Sequence, residues 1–291
     1  MSIKKIVVTG ANGQLGWELS QLATQFPNYD FVFADRSQLD LSKPESIESF
    51  LLQIAPDCII NTAAYTAVDK AETEQELAHT INAIAVGEMA RVSKQLNIPF
   101  ITFSTDYVFS GNAARPYLPD TMLEPVNYYG TTKAEGEQLA LAANDATIII
   151  RTSWVFSCHG NNFVKTMLRL IKEKDSLNIV GDQMGRPTYA KDLAIATMQI
   201  VEQLNIGHTI KGIYHYANTG ETTWFGFAEK IKELAHLTCD LHSITTAQFP
   251  TPAKRPAYSV LDTKKIEAEL QIKIPDWEKS LQDCIQQLSN Q

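Results

Sequence analysis

The first half of the chain alternates between short apolar runs and longer segments whose apolar residues recur at helical spacing. The short runs, rich in β-branched and aromatic residues, predict five buried strands at residues 5–10, 31–35, 58–64, 99–105 and 147–154. The segments between them predict helices at residues 13–25, 42–55, 73–96 and 129–143. This alternation predicts right-handed crossovers and a parallel sheet with helices on both faces, a doubly wound α/β fold.

After residue 154 the alternation becomes less regular. Periodicity predicts one further strand at 212–218 and helices at 160–174, 190–203, 222–237 and 276–288. Because no clean linker separates the two halves, we expect the second half to complete the sheet and to add a smaller, C-terminal substrate-binding lobe. The predicted division is a dinucleotide-binding domain at 1–152, with returning segments at about 188–220, and a lobe formed by 153–187 and 221–291.

Composition narrows the classes of partner. The chain has 291 residues, is 44% hydrophobic and carries a net charge of −8, so a broad nucleic-acid interface is not expected. Its four cysteines form no CxxC pair and its six histidines no metal-binding spacing, so no metal site is predicted. No apolar run approaches the length of a membrane span. These features favour a cytoplasmic protein without a membrane or nucleic-acid partner.

The stretch TGANGQLG places Gly10, Gly13 and Gly16 between the first strand and the first helix. A dinucleotide pyrophosphate needs a tight turn, backbone free of Cβ atoms and a helix N-terminus directed at it. The spacing is GxxGxxG and not GxGxxG, so the strand–turn–helix context carries most of the prediction. The alternative is a turn whose glycines serve only its backbone angles. With this motif, the predicted fold is Rossmann-type.

Two charged residues follow the second predicted strand. Asp35 lies about 20 residues beyond the glycines, where an acidic side chain binds the hydroxyls of the adenosine ribose. This position favours NADH. Arg36 is the next residue, and its guanidinium is either a partner for a 2′-phosphate or a solvated surface charge. The predicted cofactor is therefore NADPH or NADH, with the preference open.

A tyrosine and a lysine share one face of the helix predicted at 129–143. Tyr129 and Lys133 stand at i and i+4, and a neighbouring ammonium is expected to lower the pKa of the phenol. Tyr129 is then a proton donor to a carbonyl oxygen, and Thr105, at the end of the fourth strand, a second hydrogen-bond donor. Each residue of this stretch, considered alone, also has a purely structural explanation: Thr105 as a strand residue, Asp106 as a turn residue and Tyr107 as a packing aromatic.

These motifs together resemble the extended short-chain dehydrogenase/reductases. More narrowly, the stretches NTAAYTAVDKAE (61–72), FSTDYVFSG (103–111), GNNFVKTMLRL (160–170) and GDQMGRPTYAKDLA (181–194) resemble the dTDP-4-dehydrorhamnose reductases. The resemblance runs in order from residue 5 to about residue 260. It implies an enzyme that reduces the C4 keto group of dTDP-4-dehydro-β-L-rhamnose with NADPH or NADH, giving dTDP-L-rhamnose.

The resemblance also implies the residues of the site. Besides Gly13, Asp35 and Lys133, it implies cofactor contacts by Gln14, Leu15, Asp40, Leu41, Ala63, Ala64 and Tyr65. It implies substrate contacts by Thr66, Val68, Thr105, Asp106, Tyr107, Tyr129 and Trp154. Trp154 either offers a face to the thymine ring or is a core aromatic. Arg186 and Arg255 are candidates for binding the substrate diphosphate.

Some features leave alternatives open. Lys191 stands where some members carry an acid associated with a Mg²⁺-bridged dimer, and because a cation opposes such a site we expect no Mg²⁺ ligand. The protein is then a monomer or a homodimer. The resemblance extends to a catalytically silent nucleotide-binding protein, the regulatory subunit of methionine adenosyltransferase, although Thr105, Tyr129 and Lys133 are all present. A sibling nucleotide-sugar epimerase or dehydratase is the third possibility, but no Glu adjoins Asp106.

Overall fold

The computed structural model describes residues 3–290, which fold into twelve strands and eleven α-helices within that range. The strands are β1 (Lys5–Thr9), β2 (Asp30–Ala34), β3 (Cys58–Asn61), β4 (Phe100–Thr105), β5 (Ile148–Thr152), β6 (Val155–Phe156), β7 (Ser176–Val180), β8 (Met184–Gly185), β9 (Thr188–Tyr189), β10 (Gly212–His215), β11 (Thr222–Thr223) and β12 (Asp240–Ile244).

Helices fill most of the connections between these strands. They are α1 (Gln14–Leu22), α2 (Ile47–Ile54), α3 (Val68–Ala71), α4 (Gln75–His79), α5 (Ala85–Leu96), α6 (Tyr128–Ala143), α7 (Phe163–Glu173), α8 (Ala190–Asn205), α9 (Trp224–Leu234), α10 (Lys264–Leu270) and α11 (Trp277–Ser289). The long helix predicted at 73–96 is α4 and α5 joined by a π-helical segment, Thr80–Ile84. No helix within residues 3–290 is both long and apolar enough to cross a membrane.

Six parallel strands form the central sheet in the order β2–β1–β3–β4–β5–β10. This arrangement confirms the predicted α/β class with a doubly wound parallel sheet. The connection from β1 leads to β2 on one side and the connection from β3 leads to β4 on the other, so the strand order reverses between β1 and β3. A crevice opens at the carboxyl ends of strands at such a point, and ligands of this fold class bind there.

Alternate residues of the central strands supply two separate cores. Ile6 and Val8 face α1 and α8, whereas Val7 faces α2 and α5. All three side chains are fully buried, because a parallel strand covered on both faces must be apolar at successive positions. The continuous β-branched run that predicted β1 therefore reports burial on both sides of the sheet.

The second half of the chain adds three two-stranded sheets: β7 with β12, β8 with β11, and β6 with β9. Their own core contains the aromatic side chains of Phe156, Tyr189, Phe227 and Trp277. Except for β7 and β12, these strands are only two residues long, so periodicity had nothing to detect. The four-residue helix α3 and the helix α10 were likewise not predicted.

Candidate active site

A cavity of about 730 Å³ opens at the carboxyl ends of β1 and β3. Eleven of the predicted cofactor residues line it: Gly10, Gly13, Gln14, Leu15, Arg36, Asp40, Leu41, Ala63, Ala64, Tyr65 and Lys133. Gly16 and Asp35 are not among its lining residues. Two predicted substrate residues, Thr66 and Tyr129, also line it. The crevice expected at the reversal of strand order is thus the place where the sequence motifs meet.

The glycine turn forms a cradle that side chains would fill. Gly10 has φ +72°, and a Cβ there would lie 2.6 Å from the backbone nitrogen of Ala63. A Cβ on Gly16 would overlap the carbonyl oxygen of Gly10. Gly13 is the N-cap residue of α1 and provides no side-chain cap, and the first turn of the helix holds no acidic residue. The first N–H groups of α1 are therefore available to an anion, as a dinucleotide pyrophosphate requires.

The acidic residues beside the cradle are held by local hydrogen bonds. Ser37 donates to Asp35 Oδ1 from both its backbone nitrogen (2.8 Å) and its hydroxyl (2.6 Å). These bonds keep the pKa of Asp35 below its usual range. Asp40 accepts from the Ser42 hydroxyl at 2.8 Å and lies 3.4 Å from Arg36 Nε. The Arg36 side chain is 75% exposed, so its guanidinium is free to move toward a ligand.

Helix α6 carries the tyrosine–lysine pair into the site. Asn127 caps this helix by accepting from Gly130 N at 2.8 Å. Gly130 and Gly136 let it pack closely, because a Cβ at either position would overlap a backbone carbonyl oxygen, that of Tyr107 or Asn82 respectively. Tyr129 is buried and lines the cavity, as does Lys133 four residues later.

The neighbouring tyrosine, Tyr128, has a different environment. It is only half-buried, and its backbone nitrogen donates to Glu72 Oε1 at 2.9 Å. It does not line the cavity. The structure therefore distinguishes two adjacent tyrosines that differ in sequence only by their spacing from Lys133.

Burial controls the protonation of Tyr129. It raises the pKa of the phenol, and the neighbouring Thr105 hydroxyl opposes this rise only in part. The expected lowering by Lys133 is not found, because the Lys133 ammonium donates instead to the Phe103 carbonyl oxygen at 2.7 Å. Burial also lowers the pKa of Lys133 to about 8, with Glu137 acting in the opposite direction. Tyr129 is thus a fully protonated phenol at neutral pH.

Thr105 and Asp106 lie next to Tyr129 at the end of β4. The Thr105 hydroxyl donates to Asp106 Oδ1 at 2.9 Å and accepts from Tyr107 N at 3.2 Å. Burial raises the pKa of Asp106 to about 6, against the lowering effect of the neighbouring Ser259 and Thr105 hydroxyls. The Tyr107 ring stands edge-on to that of Tyr129, with centroids 5.7 Å apart, and Val68 packs against the same cluster.

Two arginines from the second half of the chain each retain an unused donor. Arg255 Nη2 lies 2.8 Å from Asp69 Oδ2, and its guanidinium lies over the Tyr107 ring at 5.9 Å from the centroid. Arg186 Nη2 lies 3.2 Å from Glu221 Oε1. Among the residues of the described range, buried Arg255 Nη1 and Arg186 Nε have no hydrogen-bond partner. Such unpaired cationic donors suit an anionic ligand.

Trp154 has a partner that the sequence did not reveal. Its indole stacks on that of Trp224, with centroids 3.7 Å apart and planes inclined by 12°. A Cβ on Gly185 would lie 2.6 Å from Trp154 Cε2, so the glycine lets the backbone approach the ring. One indole face is therefore covered by another side chain, and Trp154 does not line the cavity. Trp154 and Trp224 are 70 residues apart in the sequence, so no local sequence pattern predicts their contact.

The cavity is also lined by residues that were not predicted, among them Ser104, Gly160 and Asn161. Ser104 Oγ is buried and has no hydrogen-bond partner among residues 3–290. Gly160 and Asn161 begin a stretch quoted above for its family resemblance, but that resemblance assigned them no role. Across the part of the chain that the structure describes, no group of three or more His, Cys, Asp or Glu side chains could hold a metal ion.

The site combines a Rossmann-type sheet, a glycine cradle at an uncapped helix N-terminus, and buried Thr, Tyr and Lys side chains. These features define the class of the protein, the NAD(P)-dependent oxidoreductases of the short-chain type. A family model described as "RmlD substrate binding domain" matches residues 4–290. The chain therefore belongs to the RmlD substrate-binding-domain family.

Individual relatives agree over almost the whole length. The dTDP-4-dehydrorhamnose reductase of Aggregatibacter actinomycetemcomitans is 40% identical over 96% of this chain and 97% of its own. The crystal structure of a dTDP-4-dehydrorhamnose reductase from Clostridium acetobutylicum matches with a TM-score of 0.93 and 38% identity, covering 98% of this chain and 99% of its own. That of Bacillus anthracis, in complex with NADP, matches with a TM-score of 0.92 and 36% identity, covering 99% and 100%.

Proposed function

We propose that the protein reduces the C4 keto group of dTDP-4-dehydro-β-L-rhamnose with NADPH or NADH, giving dTDP-L-rhamnose. The observation that carries this proposal is the buried Tyr129, which lines the same cavity as the glycine cradle. Similarity to dTDP-4-dehydrorhamnose reductases along the entire chain supports the choice of substrate.

The residues present fit a dinucleotide. The cradle of Gly10, Gly13 and Gly16 leaves room for a pyrophosphate at the start of α1, and Lys133 is a buried cation that lines the same cavity. In this proposal Asp35 and Asp40 hold the adenosine ribose, and Lys133 the nicotinamide ribose. The bound cofactor supplies the hydride for the C4 carbon.

Tyr129 supplies the proton for the C4 oxygen. Reduction places negative charge on this oxygen, which becomes an alkoxide, and an alkoxide is a stronger base than a phenolate. A phenol is protonated at neutral pH, and burial raises the pKa of Tyr129 further, so the donor form is present at every turnover. Thr105 adds a second hydrogen bond to the oxygen once its hydroxyl proton turns from Asp106 Oδ1. For Lys133 to offset the charge left on Tyr129, its ammonium must turn from the Phe103 carbonyl oxygen, to which it donates in this structure.

The substrate diphosphate is assigned to Arg186 and Arg255. Each has a buried N–H without a partner within residues 3–290, and each is oriented by one carboxylate, Glu221 or Asp69. A diphosphate accepts several charge-assisted hydrogen bonds at once, so it would satisfy both guanidinium groups. Both arginines follow β5 in the chain, which is why we assign substrate binding to the lobe.

Replacing Arg255 by Gln is expected to raise the KM for the dTDP-sugar about tenfold to a hundredfold, since one charged hydrogen bond to the diphosphate is lost. The Kd of NADPH, measured by fluorescence titration without sugar, should stay within about twofold. The exposed Arg115 provides the matched control, Arg115→Gln, which should leave both constants unchanged. An unaltered sugar KM in Arg255→Gln would show that Arg255 does not bind the substrate.

Replacing Arg36 by Ala tests cofactor choice. If its mobile guanidinium pairs with the 2′-phosphate, kcat/KM for NADPH should fall about tenfold relative to that for NADH, the modest value expected of an exposed charge. Lys43 is an exposed cation close to Asp40 outside the cavity, so Lys43→Ala is the control. Equal losses with both cofactors would exclude recognition of the 2′-phosphate by Arg36.

One assay separates the proposed function from its two alternatives. The protein is incubated with dTDP-4-dehydro-6-deoxyglucose, the 3,5-epimerase and NADPH or NADH, and the product is identified by NMR. A reductase oxidises the cofactor in step with dTDP-L-rhamnose formation. An epimerase or dehydratase converts a nucleotide sugar without net cofactor oxidation, and a regulatory protein does neither, so either result would refute the proposal.

A further inference from the structure

A segment of the second half of the chain, residues 157–162, lies across the glycine turn. The His159 ring stacks on Trp17 of α1, with centroids 4.9 Å apart and planes inclined by 4°. Its Nε2 atom is 3.1 Å from the carbonyl oxygen of Asn12, inside the turn itself. Gly160 and Asn161 line the cavity directly. The segment is therefore a wall of the cofactor site at its pyrophosphate end.

The same segment is tied to the first residue of α1. Asn162 Nδ2 donates to Gln14 Oε1 at 2.9 Å, and Gln14 Nε2 donates to the Val155 carbonyl oxygen at 3.4 Å. Gly160 has φ +71°, and it packs against the Gln14 side chain, because a Cβ at this position would lie 3.3 Å from Gln14 Cγ. Gln14 contributes one of the N–H groups that open α1. Any displacement of residues 157–162 would thus disturb the helix terminus that receives the pyrophosphate.

The buried carboxylate of Glu18 holds residues 157–162 through a hydrogen bond from Ser157. Glu18 of α1 is 2% exposed, and it accepts the hydroxyl of the fully buried Ser157 at 2.6 Å. Ser157 Oγ in turn accepts from His159 N at 3.0 Å. Burying a carboxylate is costly unless it is hydrogen-bonded, so Glu18 needs a well-placed donor. The chain from Glu18 through Ser157 to His159 joins α1 to the segment above it.

We propose that residues 157–162 form a clamp over the pyrophosphate end of the cofactor, and that Glu18 and Ser157 are positioning residues that hold this clamp in place. Neither residue lines the cavity, so both act through His159, Gly160 and Asn162. Release of the cofactor then requires these contacts to loosen first. The proposal depends on NAD(P)H binding but not on which sugar is reduced.

The dissociation rate of NADPH measures the clamp directly. Ser157→Ala removes both the donor to Glu18 and the acceptor for His159 N, so koff, followed by displacement fluorescence without sugar, should rise about tenfold. The KM for the dTDP-sugar should change by less than about twofold. Ser20→Ala is the matched control, since the Ser20 hydroxyl on the same helix donates only to the Trp17 carbonyl oxygen, and its koff should equal that of the wild type.

Two more variants separate positioning from general loss of structure. Glu18→Gln keeps an oxygen that can accept from Ser157, so its koff should remain within about threefold of wild type. His159→Ala removes the partly exposed end of the clamp without opening the core, and its koff should rise about fivefold to tenfold. If His159→Ala and a folded Ser157→Ala both release NADPH at the wild-type rate, the clamp is refuted. If Ser157→Ala does not fold, His159→Ala alone decides.

Discussion

Replacing Tyr129 by Phe is expected to lower kcat by about 10²–10⁴-fold, the usual contribution of a general acid. The variant removes one oxygen and keeps the buried ring, so packing against Tyr107 and the end of α3 should survive. The hydride can still be delivered, but the C4 oxygen then has no proton donor. Single-turnover measurements with saturating NADPH isolate this step, and the Kd of NADPH should remain close to that of the wild type.

The adjacent tyrosine provides the control. Tyr128→Phe changes a half-buried phenol outside the cavity and should keep near-wild-type kcat. Lys133→Met should lower kcat and also weaken cofactor binding, because the ammonium is assigned both to Tyr129 and to the nicotinamide ribose. A Tyr129→Phe enzyme with wild-type kcat would refute the proposed acid, and loss of activity in Tyr128→Phe instead would show that the wrong tyrosine was chosen.

The sequence predicts the sheet well because its signals are local. A parallel strand covered on both faces must be apolar throughout, so the run around Val7 and that around Ile59 mark β1 and β3 without further information. The turn of Gly10 and Gly16 is also readable, since backbone geometry there forbids a Cβ. The two-residue strands of the second half depend on distant partners, and their sequences contain no periodicity.

The candidate site is likewise predicted only where the sequence signal is local. Spacing brings Tyr129 and Lys133 onto one helix face, but it does not report that Lys133 Nζ binds the Phe103 carbonyl oxygen. It equally does not report how deeply Tyr129 is buried, and burial reverses the expected direction of its pKa shift. Trp154 shows the same limit, since its stacking partner is Trp224. Side-chain direction and desolvation depend on contacts between segments far apart in the chain.

A buried ion pair one helical turn beyond Lys133 illustrates such a contact. Arg151 Nη2 lies 2.7 Å from Glu137 Oε2, and Nε donates to Oε1 at 2.9 Å, with side chains 1% and 3% exposed. Arg151 also donates to the Pro119 carbonyl oxygen at 2.9 Å and lies over the Phe109 ring. This pair links α6, which carries the candidate acid, to β5 in the central sheet.

Replacing Arg151 by Met is therefore expected to lower the free energy of unfolding by about 3–5 kcal/mol, because Glu137 is left as an unpaired buried carboxylate. Denaturant unfolding at pH 7 measures the loss. The double variant Arg151→Met, Glu137→Met removes both charges of this pair and should recover a large part of the loss. Arg169→Met, which breaks the exposed Arg169–Glu173 pair, is the control and should change little. Equal losses in the single and double variants would show that packing of Arg151, and not the unpaired charge, determines the effect.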